Sequence, residues 1–107
     1  REPIRVGPFT VTPYLVDHSA YDAYALLVEA DGERLFYSGD LRAHGRKGKL
    51  FEQLLRQGIE DLDVLLLEGT TLGRPGDETY PTETEVEMQM TGLFEDTPGL
   101  VLVWAWP

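Results

Sequence analysis

Two short polar runs follow strand-like segments and carry side chains of the kind that bind metal ions. Residues 17–22 include His18, and residues 38–42 include Asp40. A neutral imidazole and a carboxylate are common zinc ligands, and the two oxygens of a carboxylate can bridge two cations. One predicted hairpin separates the runs, so both side chains can reach the same edge of a sheet. The pair predicts part of a hydrolytic metal site.

Three acidic residues are candidates for supporting roles. Asp17 or Asp22 offers an oxygen to the second imidazole nitrogen of His18, as ligating histidines usually require. Glu68 follows a buried apolar strand, and functional groups gather at the carboxyl ends of strands in open α/β sheets. Each position also has a structural alternative. His18 suits a surface turn, Asp40 suits a turn or helix start, and Glu68 suits a cap on the following turn.

Basic residues cluster directly after Asp40 although the chain is acidic. The formal net charge is −10, from 19 acidic and 9 basic residues. Such a surface repels nucleic acid unless basic groups gather or metal ions intervene. The clustered basic residues are Arg42, Arg46, Lys47, Lys49 and Arg56, and they predict an anion-binding rim. The candidate substrate-binding residues of this rim are Arg42, His44, Arg46 and Lys47. The alternative is a solvated loop and helix face.

Composition fits one small domain without thiol chemistry. The chain has 107 residues, 42% of them hydrophobic, and contains no cysteine. A disulfide framework and a thiolate metal site are therefore excluded. No apolar run approaches the roughly 20 residues that span a bilayer, so we expect no membrane segment and a cytoplasmic setting. The first residue is not methionine and the last follows a strand-like run, which suggests a piece of a longer polypeptide.

Periodicity and turn signals predict an α/β fold with a mixed sheet. Asp31-Gly32 is a strong hairpin signal, and Thr82 with Glu85 forms a capping-box pattern. The later strand–helix–strand passages favour parallel, right-handed crossovers with flanking helices. Strand 24–30 carries an unbroken apolar run at residues 25–28, which indicates burial on both faces. The predicted strands cover residues 9–16, 24–30, 34–38, 63–67 and 100–106, and the predicted helices cover residues 49–57 and 83–94.

The order of these segments resembles the central part of the metallo-β-lactamase fold. The motifs that carry the likeness are Val-Asp-His-Ser at 16–19, the Asp31-Gly32 hairpin and Ser-Gly-Asp-Leu-Arg at 38–42. More narrowly, the chain is similar to the β-CASP branch that includes ribonuclease J and the RNA 3′-end processing nucleases. Leu-Leu-Leu-Glu-Gly-Thr at 65–70 further resembles the strand that precedes the β-CASP region.

The resemblance implies a fold, a metal centre and an activity. Residues 1–71 would be a partial metallo-β-lactamase segment of an αββα fold, and residues 72–107 the start of a β-CASP region, packed as one domain. His18 and Asp40 would hold metal, with two zinc ions in the complete family site. Asp40 and Glu68 would be catalytic, and Arg42 would be among the side chains that bind a phosphodiester such as RNA.

The family's His-x-His-x-Asp-His motif does not occur in this sequence. We therefore expect the isolated chain to be inactive and to bind zinc weakly. We also expect it to pair with a second copy or with the missing remainder of a hydrolase. Two alternatives remain: a non-catalytic binding or oligomerisation domain, and a metallohydrolase for another substrate class that is completed by a partner.

Overall fold

The computed structural model describes residues 2–70, 72–73 and 80–105. Within this part, four strands are followed by a helix, a fifth strand and a second helix. Their bounds are β1 Ile4–Val6, β2 Phe9–Leu15, β3 Tyr24–Ala30, β4 Glu33–Tyr37, α1 Gly48–Gln57, β5 Val64–Leu66 and α2 Glu83–Asp96. Neither helix of this described part is long and apolar enough to cross a membrane.

The sheet has the strand order β1-β2-β3-β4-β5, so every strand lies beside its neighbour in sequence. The first four strands pair antiparallel, and β5 pairs parallel with β4 after the chain has crossed through α1. Asp31 and Gly32 link β3 to β4 with φ of 52° and 87°. Two positive φ angles are what a two-residue hairpin with matching twist needs. The predicted hairpin is therefore confirmed.

One face of the sheet holds the small core. Side chains alternate between the two faces of a strand, and Ala25, Leu27 and Phe36 point to the same face. These three residues and Val16 form the buried apolar cluster. The Tyr14 ring meets the Phe36 ring edge-on, with 5.8 Å between the ring centroids. Partly buried residues from α1 and the following loop pack against this cluster: Leu54, Ile59 and Leu62.

The other face of the sheet, which we call the open face, is also apolar. The strand register places the following residues on it: Ile4, Val6, Phe9, Val11, Pro13, Leu15, Tyr24, Leu26, Val28, Leu35, Tyr37, Val64 and Leu66. Of the side chains near its two edges, Ile4 is 58% exposed and Leu66 is 48% exposed. An apolar surface of this extent is typical of a face that packs against another protein layer.

The glycine that ends α1 and the capping box that begins α2 are both present where the sequence predicts them. Gly58 follows α1, and its N–H donates to the carbonyl of Leu54 at 3.0 Å. Thr82 and Glu85 form a reciprocal capping box at the start of α2. This exchange of hydrogen bonds satisfies donors that the first helical turn leaves unpaired. Both predicted helices are thereby confirmed, with α2 ending two residues later than expected.

The predicted fold class is wrong. The described residues form one mixed sheet with two helices, which is largely β and is not an αββα arrangement. The apolar character of β3 suggested helices on both faces, yet Ala25 and Leu27 face the core while Leu26 and Val28 lie on the open face. Residues 100–105 are not in a strand, and residue 106 lies outside the described residues.

Candidate metal-binding corner

Strand direction explains why the candidate ligands meet. Strands β2 and β4 each pair antiparallel with β3, so both run the same way and end at the same edge of the sheet. Strand β5 is parallel to β4 and ends there as well. His18, Asp40 and Glu68 each follow one of these carboxyl ends. We call this region the ligand corner: residues 16–20, residues 38–47 and Glu68.

His18 and Asp40 face each other at the ligand corner. The Nε2 atom of His18 lies 3.9 Å from Oδ2 of Asp40, and the Asp40 side chain is 69% exposed. Nδ1 of His18 lies 3.2 Å from the Ser19 hydroxyl and 3.4 Å from the backbone nitrogen of Ala20. Because the Ala20 N–H can only donate, we assign Nδ1 as its acceptor, which corresponds to the neutral tautomer with the ring proton on Nε2.

This geometry fits two ligands of one zinc ion after a small adjustment. Two ligand atoms on a tetrahedral zinc ion lie about 3.4 Å apart. The 3.9 Å between the imidazole and the carboxylate is therefore slightly wider than such a pair. Metal binding at Nε2 places the ring proton on Nδ1, where the Ser19 hydroxyl can accept it. The described residues contain no group of three or more potential metal-ligating side chains.

Gly39 makes the turn that presents Asp40. Its φ is +58°, a left-handed conformation that glycine adopts without steric cost. A β-carbon at this position would lie 2.9 Å from the carbonyl oxygen of Tyr24. The preceding Ser38 is fully buried, and its hydroxyl donates to the Gly39 carbonyl at 2.7 Å. Both features fix the direction in which the chain leaves β4.

Glu68 forms hydrogen bonds on both sides of the Asp40 turn, with Leu41 and Ser38. Its carboxylate accepts a hydrogen bond from the backbone nitrogen of Leu41 at 2.6 Å. Its own N–H donates to the Ser38 hydroxyl at 3.0 Å. Glu68 thus contacts the loop next to Asp40 through the backbone. This contact was not foreseen from the sequence, because it depends on the parallel register of β4 and β5.

Asp17 is the most deeply buried charged residue of the corner. Its side chain is 1% exposed, and its carboxylate accepts hydrogen bonds from the backbone nitrogens of Gly45 at 2.7 Å and Lys47 at 3.2 Å. The sequence suggested Asp17 or Asp22 as an acceptor for the imidazole of His18. In the structure, the Asp17 carboxylate points to the 45–47 loop, and Nδ1 of His18 contacts Ser19 and Ala20 instead.

The arginines of the predicted anion-binding rim contact helix α2. Arg42 pairs with Glu83, and Arg46 pairs with Glu87 at 2.8 Å. The backbone nitrogen of Arg46 also donates to Glu83 at 2.9 Å. The hydrogen bond from this N–H and the one from the Arg42 side chain lower the pKa of Glu83 below its ordinary value. The arginines therefore hold the first two turns of α2 against the ligand corner.

The other two rim residues lie on either side of these arginines. The ring of His44 stacks on Tyr80 with 6.0 Å between centroids, and its carbonyl accepts the N–H of Glu83 at 3.1 Å. The ammonium of Lys47 donates to the carbonyl oxygens of Ala20 at 3.3 Å and Tyr21 at 2.5 Å. The four rim residues thus lie together, and all of them make contacts within the chain.

Comparisons with known proteins find a similar structure, and that protein is described as having an unknown function. No protein-family model matches the chain, and no curated protein matches it. A solved structure described as a protein of unknown function from Enterococcus faecalis V583 is similar, with a TM-score of 0.74 and 28% sequence identity. The match covers 91% of this chain and 24% of that protein. The chain thus spans about a quarter of the length of its structural neighbour.

Proposed function

We propose that this chain contributes His18 and Asp40 to the metal centre of a zinc-dependent hydrolase that cleaves phosphodiesters such as RNA. The observation that supports this most is the 3.9 Å approach of the two side chains, which are 22 positions apart in the sequence. The likeness of residues 16–42 to the β-CASP nucleases favours a phosphodiester as substrate.

In this proposal each residue of the ligand corner has a stated task. His18 and Asp40 hold metal, and Glu68 orients the Asp40 turn through the N–H of Leu41. Zinc, when bound, supplies a water of lowered pKa and offsets charge on the phosphoryl oxygens. The arginines at 42 and 46 bind the substrate backbone when they exchange the carboxylates of α2 for phosphate oxygens.

The remaining ligands come from outside the described residues in this proposal. Structural zinc sites have four protein ligands and catalytic sites usually have three. The ligand corner provides two of them, so the source of the others is the remainder of a longer polypeptide or a second subunit. A cytoplasmic setting, where an RNA substrate would be met, is part of this proposal.

Zinc content and nuclease activity of the full-length protein test the proposal. His18→Ala and Asp40→Asn each remove one ligand, and we expect zinc affinity and cleavage of a labelled RNA to fall more than about 100-fold. Asp22→Asn is the matched control, because it removes an exposed carboxylate near His18, and should change neither value. Wild-type zinc content and cleavage in both ligand variants would overturn the assignment.

The second candidate is a non-catalytic assembly domain, which the open face favours. Apolar side chains that are exposed or only partly buried across the open face suit packing against a second copy. Light scattering on the chain at rising concentration separates this candidate from the first. A dimer whose stability is unaffected by His18→Ala, together with no zinc uptake by the full-length protein, would favour assembly over hydrolysis.

A further inference from the structure

A buried carboxylate links the two segments that carry the candidate ligands. Asp17 directly precedes His18, and its backbone carbonyl accepts the N–H of Arg42 at 2.8 Å, two residues after Asp40. Its carboxylate accepts the N–H groups of Gly45 and Lys47. One residue therefore ties the end of β2 to both the beginning and the end of the loop that follows Asp40.

The buried charge of Asp17 favours keeping the loop in contact with it. A carboxylate that is 1% exposed is stable as an ion only if donors replace its lost hydration. Two backbone N–H groups supply hydrogen bonds, and the Nε atom of Arg42 lies 3.6 Å away as the nearby positive charge. Any displacement of the loop would leave this charge without compensation.

Glycine at position 45 allows the loop to approach the carboxylate so closely. A β-carbon there would collide with both carboxylate oxygens of Asp17 and with the guanidinium of Arg42. Close backbone approach of this kind is a recognised reason for glycine near functional groups. A side chain at residue 45 would therefore force the loop or the Asp17 carboxylate to move.

We propose that Asp17 is a positioning residue that sets the separation of His18 and Asp40 for metal binding. This inference rests on the proposed function, since it assumes that the pair binds a metal ion. The carboxylate of Asp17 contacts Gly45, Lys47 and Arg42, and would not itself be a metal ligand. It acts through the loop, with Glu68 holding the same loop from the other side through Leu41.

The test measures two properties of the Asp17→Asn variant of the full-length protein: its zinc affinity and whether it still folds. The amide has the same shape, but it carries no charge and directs an NH2 group at one of the two backbone donors. We expect zinc affinity, measured by competition with a chelating dye, to fall about 10- to 100-fold, the range for residues that orient ligands. Asp22→Asn should bind zinc like the wild type.

A spectroscopic readout separates positioning from a purely structural role. In the metal-free protein, Asp17→Asn should shift the imidazole nitrogen resonances of His18 and the amide resonances of Gly45 and Lys47, while the core amides of β3 keep their positions. If Asp17→Asn does not fold, Gly45→Ala takes its place, because this variant displaces the loop and keeps every charge. It should lower zinc affinity by a similar factor.

The possible outcomes distinguish the two proposals. If His18→Ala leaves zinc binding unchanged, the proposed metal centre is wrong and the role of Asp17 falls with it. If His18→Ala abolishes binding but folded Asp17→Asn and Gly45→Ala bind zinc like the wild type, only the positioning role is wrong. A loss of affinity that matches the unfolded fraction alone would also overturn the positioning role.

Discussion

The ligand corner and the open face lie on one sheet but differ in how far this chain completes them. At the corner, Asp17, Ser38 and Glu68 have hydrogen-bond partners within the chain, and two of these side chains are almost fully buried. On the open face, apolar side chains such as Ile4 and Leu66 remain about half exposed. The corner is closed by polar contacts, whereas the open face lacks a cover among the described residues.

The two regions differ because they depend on different interactions, hydrogen bonds at the corner and apolar burial on the open face. Hydrogen bonds are directional, so a few carboxylates and backbone donors can fix a loop without a large core. Apolar burial is non-directional and needs area, which a single small sheet cannot supply to both of its faces. The chain therefore determines the positions of its candidate ligands by itself, while its stability depends on what covers the sheet.

The largest expected effect comes from filling the space beside Asp17. Gly45→Ala forces the loop away from a buried carboxylate, and overpacking of this kind costs about 1–3 kcal/mol. Urea unfolding followed by circular dichroism measures the change. Gly92→Ala is the control, because no atom lies within 4 Å of its added β-carbon and alanine favours a helix. Equal urea midpoints of unfolding for the two variants would contradict the close contact between residue 45 and Asp17.

A smaller effect on stability, but a clear one on association, is expected at the open face. Leu66→Thr introduces a β-branched residue that suits a strand and lowers the apolar area of the face, so the unfolding free energy should change by less than about 1 kcal/mol. Binding of a hydrophobic dye and self-association in light scattering should both decrease. Leu65→Thr removes apolar area from the opposite face, where Leu65 is 53% exposed. It should lower dye binding to a similar degree but leave self-association unchanged. The same decrease in self-association in both variants would contradict a face-specific interaction.

The smallest expected effect is the pH dependence of the contact between α2 and the corner. The pKa of Glu83 is lower in the folded chain, so its pairing contributes stability above the ordinary glutamate pKa of about 4.3. That contribution is lost as the pH falls through the lower folded-state pKa. Because Glu83 is partly exposed, the effect amounts to a few tenths of a kcal/mol, about the size of a surface ion pair.

Amide exchange of Arg46 between pH 6 and pH 3 measures this contact. The exchange protection of Arg46 should be lost in acid, and Glu83→Gln should weaken it already at pH 6. Glu95→Gln, an exposed change in the last turn of the same helix, serves as the control. Protection that does not change with pH or with Glu83→Gln would show that other contacts hold α2.

Local signals in the sequence were sufficient for much of the fold. The Asp31-Gly32 hairpin, the capping box at Thr82 and the glycine that ends α1 each depend on neighbouring residues, and all are present. The short strand β1 was missed, because three residues are too few to show a period. The layer arrangement was wrong, because apolar residues on both sides of β3 do not reveal what covers each side.

The candidate site was predictable to the extent that it depends on strand direction. A single hairpin separates the strands that precede His18 and Asp40, so the sequence predicts both residues at the same edge of the sheet. The structure brings them close together. The pairing of Arg42 with Glu83 spans 41 residues and depends on the path of two loops, which no local pattern encodes. The orientation of Asp17 was not predicted, because its partners Gly45 and Lys47 are 28 and 30 positions away in the sequence.

The sequence separations within the corner have a consequence for the order of folding. The β3–β4 hairpin closes between Ala30 and Glu33, whereas the carboxylate contacts of the corner join residues 27 to 41 positions apart. Closing long loops costs more entropy and slows the formation of such contacts. The hairpin meander should therefore form early, and the two candidate ligands should come together only in the last stage of folding.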